Sequence, residues 1–143
     1  MTLNSPSIAL TLCCSLAACA ANEHGLIKAE QLLKTTASWD GKQIVYPKGR
    51  AEVTALMVEI PPKAETGWHE HPVPSFGYIM EGELELSLAN GEVRRLHGGD
   101  VLPESVGVLH NGRNVGDETL RILVFYTGEV GAKLSVAHPE FVP

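Results

Sequence analysis

A chain of 143 residues with 20% charged and 44% hydrophobic residues has enough apolar material for one domain with its own core, and it calls for no second. The formal net charge of -6 comes without a basic cluster, Arg94-Arg95 being the nearest thing to one. Phosphate backbones and acidic lipid surfaces therefore meet no counter-charge, and nucleic acid is excluded as an expected partner.

In chain order, the first element is the apolar run Ile8 to Ala21, which is about as long as a signal-peptide core, ends in small residues and is short for a membrane span. It predicts a leader over residues 1–22 and an exported protein of the periplasm or cell envelope. All three cysteines, Cys13, Cys14 and Cys19, lie inside the leader, so no disulfide and no thiolate ligand is expected in the rest. Leu16-Ala17-Ala18-Cys19 resembles the lipobox of bacterial lipoproteins, which would place a lipid anchor on Cys19. Ala18-Cys19-Ala20 equally fits ordinary cleavage, and no Lys or Arg precedes the run.

Residues 23–50 read as an N-terminal arm with strands, one of them Glu30 to Lys34. Ala51 to Ile60 alternates Val53, Ala55 and Met57 with Leu56, Val58 and Ile60, a strand apolar on both faces. Pro61-Pro62 ends it. Short extended segments follow at Trp68 to His71, Gly77 to Met80 and Glu83 to Leu88, and in the last Leu84, Leu86 and Leu88 define one buried face. Asn90-Gly91 between two extended runs predicts a tight hairpin with positive φ at both central positions. Val93 to Leu96 returns along it, Gly98-Gly99-Asp100 turns again, and Val101 to Glu104 and Thr119 to Tyr126 are further strands. The remaining residues, 129–143, read as a tail. Short strands at regular spacing with turns between them predict an all-β antiparallel sandwich or barrel.

The chemistry-bearing residues are His69 and His71 in Gly67-Trp68-His69-Glu70-His71-Pro72, and His110 downstream. On a strand, residues i and i+2 share a face, so His69 and His71 aim both imidazoles into one volume while Glu70 and Pro72 point away. A third imidazole from another strand completes a site for a divalent transition metal: iron, zinc, manganese, nickel or copper. Taken alone, a His-x-His pair is as readily the wet face of a strand.

These residues resemble the two motifs of the cupin superfamily. In the first, His69 and His71 match the histidine pair and Gly82 the closing glycine, while Lys63 stands at the leading glycine and Ser75 at the glutamate. In the second, Gly99, Gly107, His110 and Asn114 match in register and Ser105 replaces a proline. The resemblance implies a double-stranded β-helix, the jelly-roll cupin barrel, over about residues 51–128. It implies a metal held by His69, His71 and His110, with the usual carboxylate absent at Ser75, as in cupin dioxygenases that use three histidines on iron. It also implies a homodimer.

Glu104, six residues before His110, could offset that loss as a metal ligand, as a neighbouring acceptor or general base, or could form an ordinary salt bridge. It is the candidate catalytic residue. Phe76 or Tyr78 could line the pocket mouth, although Trp68, Phe76, Tyr78 and Phe125 read mainly as core. His24, His97 and His138 have no spacing that recommends them. Two functional readings stand: a metal-dependent enzyme (a dioxygenase-like oxidoreductase, an isomerase or a lyase) acting on a small molecule, or a non-catalytic envelope module binding a metal or small ligand. Vestigial histidines would be a third. The fold alone does not choose among them.

Overall fold

The computed structural model describes residues 27–143. The predicted leader, with Cys19 and the other cysteines, lies outside the described residues. Gln31–Pro143 form one compact unit. Residues 27–34 are exposed and in no regular structure, so the strand expected at Glu30 to Lys34 does not form. No facing strand offers Leu32 and Leu33 an apolar surface, and both stay exposed. The rest of the arm is tied down at Trp39, whose backbone N–H donates to the Pro103 carbonyl at 2.9 Å and whose ring packs on the core.

Among the described residues every element is a strand: β1 (Ala51–Ile60), β2 (His69–Glu70), β3 (Ser75–Glu81), β4 (Glu83–Leu88), β5 (Val93–His97), β6 (Val101–Pro103), β7 (His110–Asn114), β8 (Leu120–Glu129) and β9 (Val136–Ala137). One sheet runs β1-β8-β3-β6, the other β5-β4-β7-β2-β9, and all strand pairs are antiparallel. This is the antiparallel all-β architecture that the strand pattern predicted and the jelly roll that the family resemblance implied. Leu84, Leu86 and Leu88 of β4 and Leu120, Ile122 and Val124 of β8 turn inward as their alternation requires, and all but Leu88 join Ile79 and Leu102 in one cluster between the sheets. Burying each such side chain contributes about 1.5–3 kcal/mol, which is why the two alternating runs dictate which faces meet.

Two local expectations change. β1 is apolar on both faces but not buried on both: among the described residues it pairs only with β8, at the edge of its sheet, and Val53, Leu56 and Met57 remain exposed. The β4–β5 hairpin closes with a longer turn than predicted. Gly91, at φ +90°, has a positive φ and Asn90 does not; the Asn90 side-chain carbonyl instead accepts the Glu92 N–H at 3.0 Å. The Gly91 N–H donates to Leu88 O, a turn followed by one left-handed glycine, which gives the same reversal with one positive φ instead of two. Lys63, at the motif's leading glycine position, adopts φ +65°, a left-handed conformation that favours glycine.

Candidate metal centre

His69 and His110 lie on two short paired strands, and His71 follows just beyond the first. β2 lies between β7 and β9, and the antiparallel β2–β7 pairing sets His69 directly opposite His110. His71, two residues beyond His69, lies on the same face as strand parity requires, and its backbone forms an isolated bridge to Val106. Ring centroids are 4.3 Å apart for His69 and His110, and 4.9 Å for each of the other two pairs. One ring nitrogen from each histidine lies within 4.8 Å of those of the other two. His71 and His110 are buried, each 3% exposed.

Every Nδ1 is turned away from the centre toward a backbone carbonyl: His69 to Gly67, His71 to Leu134 and His110 to Val108, each at 2.8 Å. A carbonyl only accepts, so each Nδ1 carries a proton, and the neutral ring presents its lone pair at Nε2. Three neutral imidazoles with one ring nitrogen each gathered in this way are the donor set a divalent transition metal takes, with the tautomers fixed from behind. Burial, followed for His110 by the charge of His69, pulls the pKa of His110 down to about 4, and burial also lowers that of His69. Both rings are therefore neutral and available near neutral pH.

His71 differs because its Nε2 faces a carboxylate. Glu104 follows β6, where its backbone N–H donates to the Ser75 carbonyl at 2.9 Å, and its Oε2 stands 2.8 Å from His71 Nε2. The same Oε2 accepts a hydrogen bond from the Ser75 hydroxyl at 3.0 Å. Burial works against a charge on His71, but the carboxylate outweighs it and raises its pKa above the usual histidine value. Burial likewise opposes ionisation of Glu104, yet His71, the charge of His110 and the Ser75 hydroxyl hold its pKa below the usual carboxylate value.

The sequence matches the cupin domain family over residues 56–126. The chain belongs to the cupin superfamily. Over 66 residues it is 36% identical to the cupin-domain-containing oxidoreductase srdB of Neurospora crassa, covering 46% of this chain and 33% of that protein. Over 73 residues it is 38% identical to the polyketide synthase CurC of Streptomyces cyaneus, covering 50% of this chain and 46% of that one. The cupin thus spans less than half the length of either relative. Among solved structures it resembles the DMSP lyase DddQ from Ruegeria pomeroyi DSS-3 (TM-score 0.55, 27% identity, 63% of this chain and 45% of that one). It also resembles the Lactobacillus farciminis oxalate decarboxylase in a formate complex (TM-score 0.53, 23% identity, 59% and 26%), a likeness of fold.

In this cupin the cluster opens on a cavity of about 70 Å³, walled mainly by Val58, Leu84, Leu86, Leu102, Ile122 and Val124. At about 10–15 Å³ per water position, that is room for roughly five water-sized groups, the scale of a small ligand. Glu104 and Tyr126 line it as well. The Tyr126 ring meets the His71 ring edge-on at 5.2 Å, and burial, then the charge of Glu104, pushes its hydroxyl pKa up to about 12, so it stays a neutral phenol. Tyr126 was not expected at the site. It continues the inward series Leu120, Ile122, Val124, a signal that could have found it.

Phe76 and Tyr78, by contrast, occupy the alternate positions of β3 whose inward face carries Ser75, Gly77 and Ile79, and neither lines the cavity. Phe125 is exposed, not core, since it alternates with the buried Val124 and Tyr126. Glu70 points away from the pair and faces His138 Nε2 at 3.6 Å. The C-terminal stretch does more than trail: β9 pairs with His69 and Glu70, the Leu134 carbonyl holds His71, and Phe141 packs edge-on against Trp68 at 4.9 Å. Alternation could not have signalled a strand of two residues.

Proposed function

We propose that this cupin holds one divalent transition metal ion through His69, His71 and His110 and presents it to a small molecule bound in the barrel cavity. The observation that carries the reading is the triple Nδ1-to-carbonyl arrangement, which leaves each ring, when neutral, an Nε2 lone pair to offer within one small cluster. The donor set is neutral nitrogen, which suits iron, zinc, manganese, nickel or copper and does not suit calcium or magnesium. When bound, such an ion would polarise an oxygen-bearing ligand. The chain's own residues do the rest. The apolar walls exclude water around a ligand of a few heavy atoms, and Tyr126, kept protonated, can donate a hydrogen bond to it.

The curated relative called an oxidoreductase and the structural neighbour called a lyase support reading the site as one for small-molecule chemistry. Elemental analysis of protein purified without a His tag and loaded with Fe(II), Mn(II) or Zn(II) tests the reading. About one ion per chain is expected, falling to none in a His69→Ala, His71→Ala variant with an unchanged far-UV spectrum. Equal metal content in the two proteins would overturn it.

A further inference from the structure

We propose that the barrel cavity takes a short aliphatic 2-hydroxy acid, a molecule with one carboxylate, one neighbouring hydroxyl and a small alkyl end. The inference rests on the three-histidine reading and names the ligand class for that site. It starts from two polar atoms in the cavity lining that the chain leaves without partners. Tyr126 is 6% exposed, and its hydroxyl has no hydrogen-bond partner among the described residues. Both contacts of the Glu104 side chain fall on one oxygen: Oε2 stands 2.8 Å from His71 Nε2 and accepts the Ser75 hydroxyl at 3.0 Å. Oε1 has no such partner among the described residues, although the side chain is only 12% exposed. Buried polar atoms are rarely left so, and a ligand that completes them gains what the chain forgoes.

The position of Oε1 shows where its partner must come from. Gly77 is an inward position of β3, and the point its Cβ would occupy lies 3.5 Å from Oε1 and 3.3 Å from Cγ2 of Ile122, a wall of the cavity. Oε1 therefore lies on the inner face of the barrel. The neutral phenol of Tyr126 offers a donor and the Glu104 carboxylate an acceptor, so the complementary ligand carries an acceptor and a donor of its own. Charge then selects the acceptor. Among the described residues that line the cavity none is a lysine or an arginine, and Glu104 is the one acid. A divalent centre beside one protein carboxylate is balanced by a single further negative charge. A second ligand carboxylate would be buried among Leu84, Leu86, Leu102 and Val124 with nothing to pair it. One anionic head, one hydroxyl and an apolar remainder, in a cavity of about 70 Å³, describe a short 2-hydroxy acid.

The test is calorimetric titration of the protein loaded with Zn(II), using 2-hydroxybutanoate and analogues that each change one feature. Butanoate has no hydroxyl, and 2-methoxybutanoate keeps that oxygen without its proton; both are expected to bind at least about tenfold more weakly, the loss of one hydrogen bond to a charged group. The uncharged 2-hydroxybutanamide and the doubly charged malate should also fall at least about tenfold. Glycolate, two methylenes shorter, should lose about fourfold for each. Tyr126→Phe should weaken 2-hydroxybutanoate about tenfold or more. Zinc-loaded protein that binds butanoate, 2-methoxybutanoate, the amide or malate within about threefold of 2-hydroxybutanoate would overturn the proposal. So would glycolate binding as tightly as 2-hydroxybutanoate, an unchanged affinity in Tyr126→Phe, or no binding of 2-hydroxybutanoate at all. A protein that takes up no zinc would instead overturn the function proposed above.

Discussion

Asn114, the last residue of the second motif, touches none of the histidines, and its replacement by alanine should cost stability without touching the metal. Its side chain is fully buried, at 0% exposure. Nδ2 donates to the Ile60 carbonyl at 2.8 Å and to the Glu118 carbonyl at 2.7 Å, while Oδ1 accepts the Gly116 N–H at 2.9 Å. Its backbone adds a bond to Ala64 O at 2.9 Å and receives the Lys63 N–H at 3.1 Å. One amide thus joins the end of β1, the end of β7 and the turn leading into β8. In Asn114→Ala the Ile60 carbonyl is left buried and unpaired, at about 1–3 kcal/mol, and the two partly buried bonds add about 0.5–1.5 kcal/mol each. The expected loss is about 3 kcal/mol, a large share of the roughly 5–15 kcal/mol that holds a domain of this kind together. That corresponds to a fall in Tm of about 12 °C at about 4 °C per kcal/mol. Asn114→Asp should cost at least as much at neutral pH, because it turns both donated bonds into oxygen facing oxygen. Urea and thermal unfolding of the metal-free proteins measure this, and elemental analysis of the folded variant should show metal content equal to wild type. A loss under about 1 kcal/mol, or a folded variant without metal, would refute the clamp.

Two backbone positions supply further expectations. Gly82→Ala would place a Cβ 2.8 Å from the Leu120 backbone at φ +90°, so β8 must shift at its fully buried start, and a loss above about 3 kcal/mol is expected; Gly99→Ala, at φ +97° with open space around it, should lose only about 1–2 kcal/mol, as measured by urea unfolding. Lys63→Gly should stabilise by about 0.5–1 kcal/mol in the same assay: it relieves a left-handed lysine worth about 1–2 kcal/mol and gives up an exposed pair with Asp117 worth about 0–1. A destabilised Lys63→Gly variant would mean that the lysine side chain holds the loop.

Much of the barrel is legible in the sequence because its strands obey a two-residue period under one-sided burial. Glu83 to Leu88 is read to the residue, since each outward polar position is balanced by an inward leucine. The histidine pair is legible for the same reason. Where burial does not act, the reading falters: β1 shows apolar residues on both faces and nothing in its pattern says that it is an edge. Glu104 is legible as a candidate but its role is not. The parity argument from His110 fails physically, because β6 ends at Pro103 and Gly107 turns the chain at φ +64°. The carboxylate reaches the cluster by way of β3 instead, through pairing between strands far apart in sequence. Tyr126 is legible in hindsight as the next inward position of β8, whereas Leu134 and β9 carry no periodic signal at all.

The carbonyls behind the three imidazoles have a consequence for how this site varies. In many metal proteins the groups that fix a histidine's tautomer are side chains, and substitution can tune or abolish them. The acceptors in this protein are main-chain oxygens of Gly67, Val108 and Leu134, which every amino acid possesses. No codon change deletes them, and only a change in the path of the chain can move them. Half of the coordination chemistry is therefore inherited with the shape of the barrel and is silent in any comparison of letters. The residues at 108 and 134 are free to drift so long as the strands and loops that carry them keep their course.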